Sequence, residues 1–462
     1  MFCSERNKFL SLILLAGLAL SGVSCQKDNI VTLPENAEPV DKPAEPVEEE
    51  KEEEEKPKGR IPQNIKGIPR VYIDTPDKGG QASISKEEWK KYCNIRMQAT
   101  LADGRDTIFY DEDSLKIKGR GNSTWSYYTF KRPYNLKLDH KADFLGTGKT
   151  KRWVLLANWM DKTLLRNDVA FEAARRTTLE WTPSGTFVDL YIDGEYRGNY
   201  WLGEKINVEG SNFLADYLYC YDTSVKENAR GVEFLYTAYG IWNKGKKNGQ
   251  IPAELKYPDL DDFPGQEAAK VKEASDALHA KEKILYQGNW STVIDVNEFC
   301  DWFLVHELCT NYEPLHPKSC YFYIRDGLLH IGPAWDFDWG TFIKEVDGIK
   351  LNSTIYYPRL FEDQAFRNRL KQRWESLKPT FETLPAYIDQ RAALIRESAE
   401  KNFAVQEFDP GYGYHGYGNP LSEDGSGMVN HDEQMTFQEA VETMKAALIA
   451  RIETLDKAID SL

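Results

Sequence analysis

The chain has 462 residues, 28% of them charged, and its 73 acids against 58 bases give a formal net charge of −15. That balance offers no basic surface for a phosphate backbone and argues against a DNA or RNA partner. Seven cysteines without a CxxC pair argue against both a zinc ribbon and a disulfide framework.

At the N-terminus, Arg6 and Lys8 precede an apolar run from Phe9 through Leu20. The run is too short to span a bilayer but long enough for a secretory signal. Ser21, Gly22 and Ser24 lead to Cys25, an arrangement that resembles a bacterial lipobox, although Gly22 stands where Leu is usual. Cys25 is then the lipidation site, and the lipid anchor is the only membrane attachment; a plain secretory signal is the alternative. Gln26, Lys27 and Asp28 resemble the short tag of surface-exported lipoproteins, which points to the outer membrane and an outward-facing protein. From Glu35 to Lys58 there are eleven acids, four bases and almost no large apolar residue, the composition of an extended, self-repelling tether. Cys93, Cys220, Cys300, Cys309 and Cys320 then read as buried free thiols.

Short apolar stretches from Ile68 to Leu138, punctuated by Gly, Asp and Pro, predict strands. Apolar positions between Asp161 and Thr177 fall at helical spacing, with Asp161 or Thr163 as cap. Alternation through Val188, Leu190 and Ile192, interrupted at Asp193-Gly194 and resumed to Leu202, predicts a hairpin. Asp295-Val296-Asn297-Glu298 and Thr436-Phe437-Gln438-Glu439 read as capping boxes, and Phe361 to Ala399 adds further helix. A Gly/Tyr-rich loop from Gly411 to Gly418 separates the last two helical regions. The fold class is α+β.

Two segments carry chemistry. Asp336 and Asp338, framed by Trp335 and Trp339 after the strand-like Leu328–Ile331, would share one face of an extended backbone and converge on a cation such as Mg²⁺ or Mn²⁺. In Lys118-Gly119-Arg120-Gly121-Asn122-Ser123-Thr124-Trp125, glycines let backbone N–H groups approach phosphate oxygens, and Arg120 offers a fork that fits them. Taken alone, that segment reads better as an ordinary tight turn, because a short Gly-x-Gly is a weak fingerprint. His306, His316 and His330 are too scattered for a metal triad and read as structural.

The ordered blocks at 119–125, 131–138, 153–158, 161–167, 193–200, Glu204-Lys205 and 332–338 together resemble the CotH kinase family over roughly residues 68 to 375. The resemblance implies a divergent two-lobed protein-kinase-like fold with a C-terminal helical tail, and phosphoryl transfer from ATP to Ser or Thr of a surface protein. Its domains are a signal peptide at 1–24, the tether at 25–60, a kinase-like domain at 61–400, and a loop and helix at 401–462. It implies nucleotide binding by Gly119, Arg120, Gly121, Lys137 and Glu204, and metal binding by Asp336 and Asp338. Kinase-like members carry an Asp base followed by an Asn; here the matching acid is Glu313, and no Asn follows at the expected spacing. Two other readings stand beside the kinase. One is an inactive surface protein whose aromatics, Trp125, Tyr127, Tyr128 and the Tyr412-to-Tyr417 loop, bind a glycan or protein. The other is a nucleotide-sugar glycosyltransferase, which lacks the expected N-terminal βαβ run.

Overall fold

A computed structural model describes residues 59–121, 123–126, 131–208, 213–224, 234–242, 247–248, 250–342, 346–405 and 435–462. Cys25, the acidic tether, Tyr127, Tyr128 and the Gly/Tyr-rich loop lie outside the described residues.

Strands β1 (Arg70–Asp74), β2 (Lys90–Thr100) and β3 (Asp106–Gly119) are followed by the single turn α1 (Ser123–Ser126), then β4 (Tyr134–Ala142) and β5 (Thr150–Leu156). Helix α2 (Arg166–Arg175) leads to the hairpin β6 (Gly185–Ile192) and β7 (Glu195–Glu204). These seven strands close into a barrel in the order β1-β2-β3-β4-β5-β7-β6, sealed by parallel pairing of β1 with β6. Strand alternation sends Val71, Ile95, Ile117, Leu136, Trp153 and Leu202 into its core.

The hairpin turns where expected, with Asp193 at φ 50° and Gly194 at φ 83°. The Asp193 carboxylate accepts bonds from Thr75 N (2.7 Å), Thr75 Oγ1 (2.6 Å) and Gly80 N (2.7 Å), so its role is to stitch the barrel end. Helix α2 begins later than the sequence pattern suggests, because Leu164 at φ 59° breaks the helical path. The Asp161 carboxylate instead receives Thr163 N, Thr163 Oγ1, Arg166 N and the Arg166 guanidinium.

The second half contains β8 (Tyr217–Tyr221), β9 (Phe234–Tyr236), the short pair β10 (Ile241–Trp242) and β11 (Lys247–Asn248), β12 (Pro252–Tyr257), α3 (Glu267–Ile284) and α4 (Val296–Leu308). Strands β13 (Cys320–Arg325) and β14 (Leu328–Ile331) complete a five-stranded sheet ordered β14-β13-β8-β12-β9. Helices α5 (Tyr357–Phe361), α6 (Gln364–Phe381), α7 (Leu384–Val405) and α8 (Phe437–Asp460) follow. The structure is therefore α+β, with a barrel core and a larger core shared by α2, the second sheet and the helices.

Thr436 and Glu439 form a complete capping box on α8. Asp295 caps α4, but Glu298 does not return the bond; its carboxylate accepts from Tyr323 OH and Glu180 N and meets His330 Nδ1 at 2.9 Å. Helix α8 is no loose tail. Val441, Met444, Leu448, Leu455 and Ile459 are buried in the larger core, and Arg451 donates to Glu307 of α4. The five cysteines from Cys93 onward are free and buried. No helix among the described residues is long and apolar enough to cross a membrane.

Candidate functional site

The Asp336 segment is held from three sides. Asn167 of α2 accepts from Phe337 N at 2.8 Å, and its amide donates to Asn158 Oδ1 at 2.9 Å. Asn311, just past α4, donates to the Asp336 carbonyl at 3.1 Å and accepts from Glu313 N at 3.2 Å. One side chain thus fixes Glu313 and Asp336 together. Phe337 is buried against His306, with ring centroids 4.7 Å apart, while Asp336 and Asp338 on either side are half-buried. The run is not extended, as the sequence reading supposed: Asp336 lies at φ 70°, so strand alternation does not set the direction of its carboxylate.

Ser319 Oγ donates to Asp336 Oδ2 at 2.9 Å. It lies past Glu313 on the approach to β13, in the region where the kinase pattern expects Asn. Sequence reasoning missed it because only the contact with Asp336 marks its role.

Arg120 joins these acids to the glycine segment. Its guanidinium carbon sits 5.4 Å from the Trp335 ring centroid. Burial lowers the Arg120 pKa, and Asp336 and Asp338 act in the opposite direction. A Cβ on Gly119 would stand 2.2 Å from a Trp125 ring carbon, and Gly121 adopts φ 81°; both positions need glycine.

The acids crowd one another. Burial, then Asp336 and Asp161, push Asp338 up to about 7. Burial, then Asp336, hold Glu313 well above the usual carboxylate range despite Lys318. Asp222, after β8, is raised by burial, with Asp336 adding to it. Among the described residues no three His, Cys, Asp or Glu side chains form a ready metal cage. A site for Mg²⁺ needs only one or two carboxylates, with water and substrate phosphates supplying the rest. Mutually repelling acids facing a guanidinium fit that donor set.

Lys205 lies within electrostatic reach of Arg120. Burial, then Arg152, Arg120, Lys256 and Lys118, press its pKa down to about 7. Lys137 lies farther along the barrel wall, and burial followed by Arg152, Lys116 and Lys151 lowers its pKa, with Asp259 acting against them. Register explains the difference, since Lys205 follows the end of β7 whereas Lys137 sits within β4.

Glu204, the neighbour of Lys205, turns to the opposite face as strand alternation requires. It is buried, accepts from Ser184 N at 3.0 Å and Thr147 Oγ1 at 3.1 Å, and lines a cavity of about 240 Å³ with Arg175, Trp181 and Thr182. The structure therefore brings together Gly119, Arg120, Gly121, Glu313, Asp336 and Asp338, while Glu204 faces elsewhere.

No curated protein matches the chain. A family model described as CotH kinase protein matches residues 117–455, from the end of β3 into α8 and across every residue of the site just described. The chain belongs to the CotH kinase family.

Proposed function

We propose that the protein is an atypical kinase, transferring a phosphoryl group from a nucleotide such as ATP to a Ser or Thr hydroxyl of a surface protein. The observation that carries this reading is the meeting of Arg120, beside the glycine segment, with Asp336 and Asp338. Arg120 and Lys205 grip the phosphates. Asp336, with Asp338, holds Mg²⁺ or Mn²⁺, which when bound offsets phosphate charge in the transition state. Glu313, tied to Asp336 through Asn311, accepts the proton of the acceptor hydroxyl. Burial and then Asp336 raise its pKa, and a cation held by the neighbouring acids would favour the carboxylate that a base requires. Export and lipid anchoring through Cys25, as the N-terminal sequence suggests, place the reaction at the outer surface.

The test is a thermal shift of a soluble fragment starting near Ile61, with nucleotide and divalent metal, because a ligand that binds only the folded state raises its midpoint. Asp336→Asn should abolish the shift and Asp338→Asn should weaken it less. Absence of a shift with every nucleotide and metal pair, well above millimolar concentration, overturns the proposal.

One observation favours a second reading. The Ser319 hydroxyl already engages Asp336 Oδ2, and Glu313 is one methylene longer than the usual Asp. Both suit a fold that keeps its site but binds a glycan or protein without catalysis.

A further inference from the structure

The outer wall of the barrel carries an arrangement that strand pairing should disfavour. In the β3–β4 register Lys116 lies opposite Lys137, and in the β4–β5 register Lys137 lies opposite Arg152. Trp153 pairs with Glu204, and Lys205 N donates to the Arg152 carbonyl, so Lys205 continues the line. Four cations therefore stand side by side across four neighbouring strands. Like charges directly opposite on one face are destabilising. Their neighbours Ile117, Leu136 and Trp153 fill the barrel core, which turns Lys116, Lys137 and Arg152 outward. None of the four makes an ion pair with an acid among the described residues. All four are half-buried, so their repulsion is less screened than on an open surface.

At a strand spacing of ~4.8 Å the row is roughly 14 Å long. Its Lys205 end lies within electrostatic reach of Arg120, and Asp259 is the acid whose charge reaches Lys137. A nucleotide held at Arg120 and Lys205 would leave Lys116, Lys137 and Arg152 without a counter-charge.

We infer that the row Lys116, Lys137 and Arg152 is a docking track for an acidic peptide, and that the protein selects acceptors whose hydroxyl is flanked by Asp or Glu. This inference rests on the phosphoryl-transfer reading for its choice of a peptide. An extended peptide crosses ~14 Å in about four residues, so two or three carboxylates beside the acceptor hydroxyl match the row.

Direct binding separates this inference from the reaction. Fluorescence anisotropy of the purified full-length chain would use a labelled peptide with one Ser flanked by Glu, and the same peptide with Gln for Glu. The acidic peptide should bind about tenfold tighter or better, and added salt should erase the preference. Lys116→Glu should cost about tenfold in affinity for the acidic peptide while the nucleotide-dependent thermal shift stays as in the parent, and Lys137→Gln should weaken peptide binding in the same direction. Equal binding of the two peptides, or parental affinity in Lys116→Glu, overturns the inference. So does binding of inorganic polyphosphate at the row by a chain that ignores the acidic peptide. Acidic-peptide binding that depends on Lys116 in a chain showing no nucleotide shift keeps the track and removes the kinase reading.

Discussion

The guanidinium of Arg451 on α8 meets Glu307 Oε2 on α4 at 2.8 Å, with the two side chains 1% and 0% exposed. Arg451 also donates to the Glu307 and Val346 carbonyls, and Glu307 accepts from Lys350 N and Leu351 N. The last helix thereby anchors the end of the helix that leads into Asn311 and Glu313.

Removing one partner strands a buried charge. Arg451→Met should destabilise the protein by about 3–5 kcal/mol, read as a lower denaturant midpoint. The double variant Arg451→Met with Glu307→Leu should recover part of that loss. A single variant with the parental midpoint would show that the pair carries no stability.

Lys131 is fully buried; its Nζ has no hydrogen-bond partner and lies 5.2 Å from the Tyr200 ring centroid. Burial lowers its pKa to about 7, against the pull of Asp161 and Asp189. Above that value the folded chain holds Lys131 neutral while the unfolded chain still binds the proton up to about pH 10. The unfolded state then carries more protons, so this group's contribution to stability rises with pH from about 7 to about 10. Thermal midpoints of Lys131→Met should lack that rise and exceed the parent at neutral pH; an unchanged pH profile would refute the assignment.

Gly119→Ala places a methyl against the Trp125 ring, so the loop carrying Arg120 must move. The nucleotide-dependent thermal shift should disappear, and stability should fall by about 1–3 kcal/mol, in the range of overpacked sites. The shift itself is the readout to compare with the parent.

Ser319→Ala removes the hydrogen bond to Asp336 without adding bulk. If the hydroxyl orients that carboxylate for a metal, the metal-dependent part of the nucleotide shift should fall several-fold, and Ser319→Asn should restore part of it. A larger shift in Ser319→Ala would instead mark the serine as a competitor for the carboxylate.

The five thiols offer a simpler check. Burial raises Cys93 to about 11 and Cys220 to about 12, and lifts Cys300, Cys309 and Cys320 as well. In the fragment starting near Ile61, none should react with a thiol reagent at pH 8 until denaturant is added.

What the sequence revealed was mostly local. The Asp193-Gly194 turn and the Thr436 box declare themselves within a few residues, and Gly119, Arg120 and Asp336 sit in segments with unusual composition. The rest depends on long-range register. Lys205 acquires its place because β7 ends beside β5, and Glu204 is turned aside by the same pairing. Ser319 shows a role only when Asp336 folds back onto it, and the cation row exists only when four strands align. Arg451 resembles any helical arginine until Glu307 is found beneath it. The extended backbone supposed for Asp336 to Asp338 failed because a left-handed residue cannot be foreseen from an Asp-Phe-Asp run.

Barrel closure constrains when each part of the site can form. Val71 of β1 pairs with Leu190 of β6, so the first strand has no lasting partner on one side until the sixth has been made. Contacts that distant in sequence close slowly, because a long loop must be ordered before they repay it. The cation row spans β3, β4, β5 and the end of β7, so Lys205 joins Lys116, Lys137 and Arg152 only once β7 has paired with β5. An emerging chain would therefore present the glycine segment and three of the cations well before Lys205 could reach Arg120, and a phosphate grip built on those two side chains would be completed late in the chain's maturation.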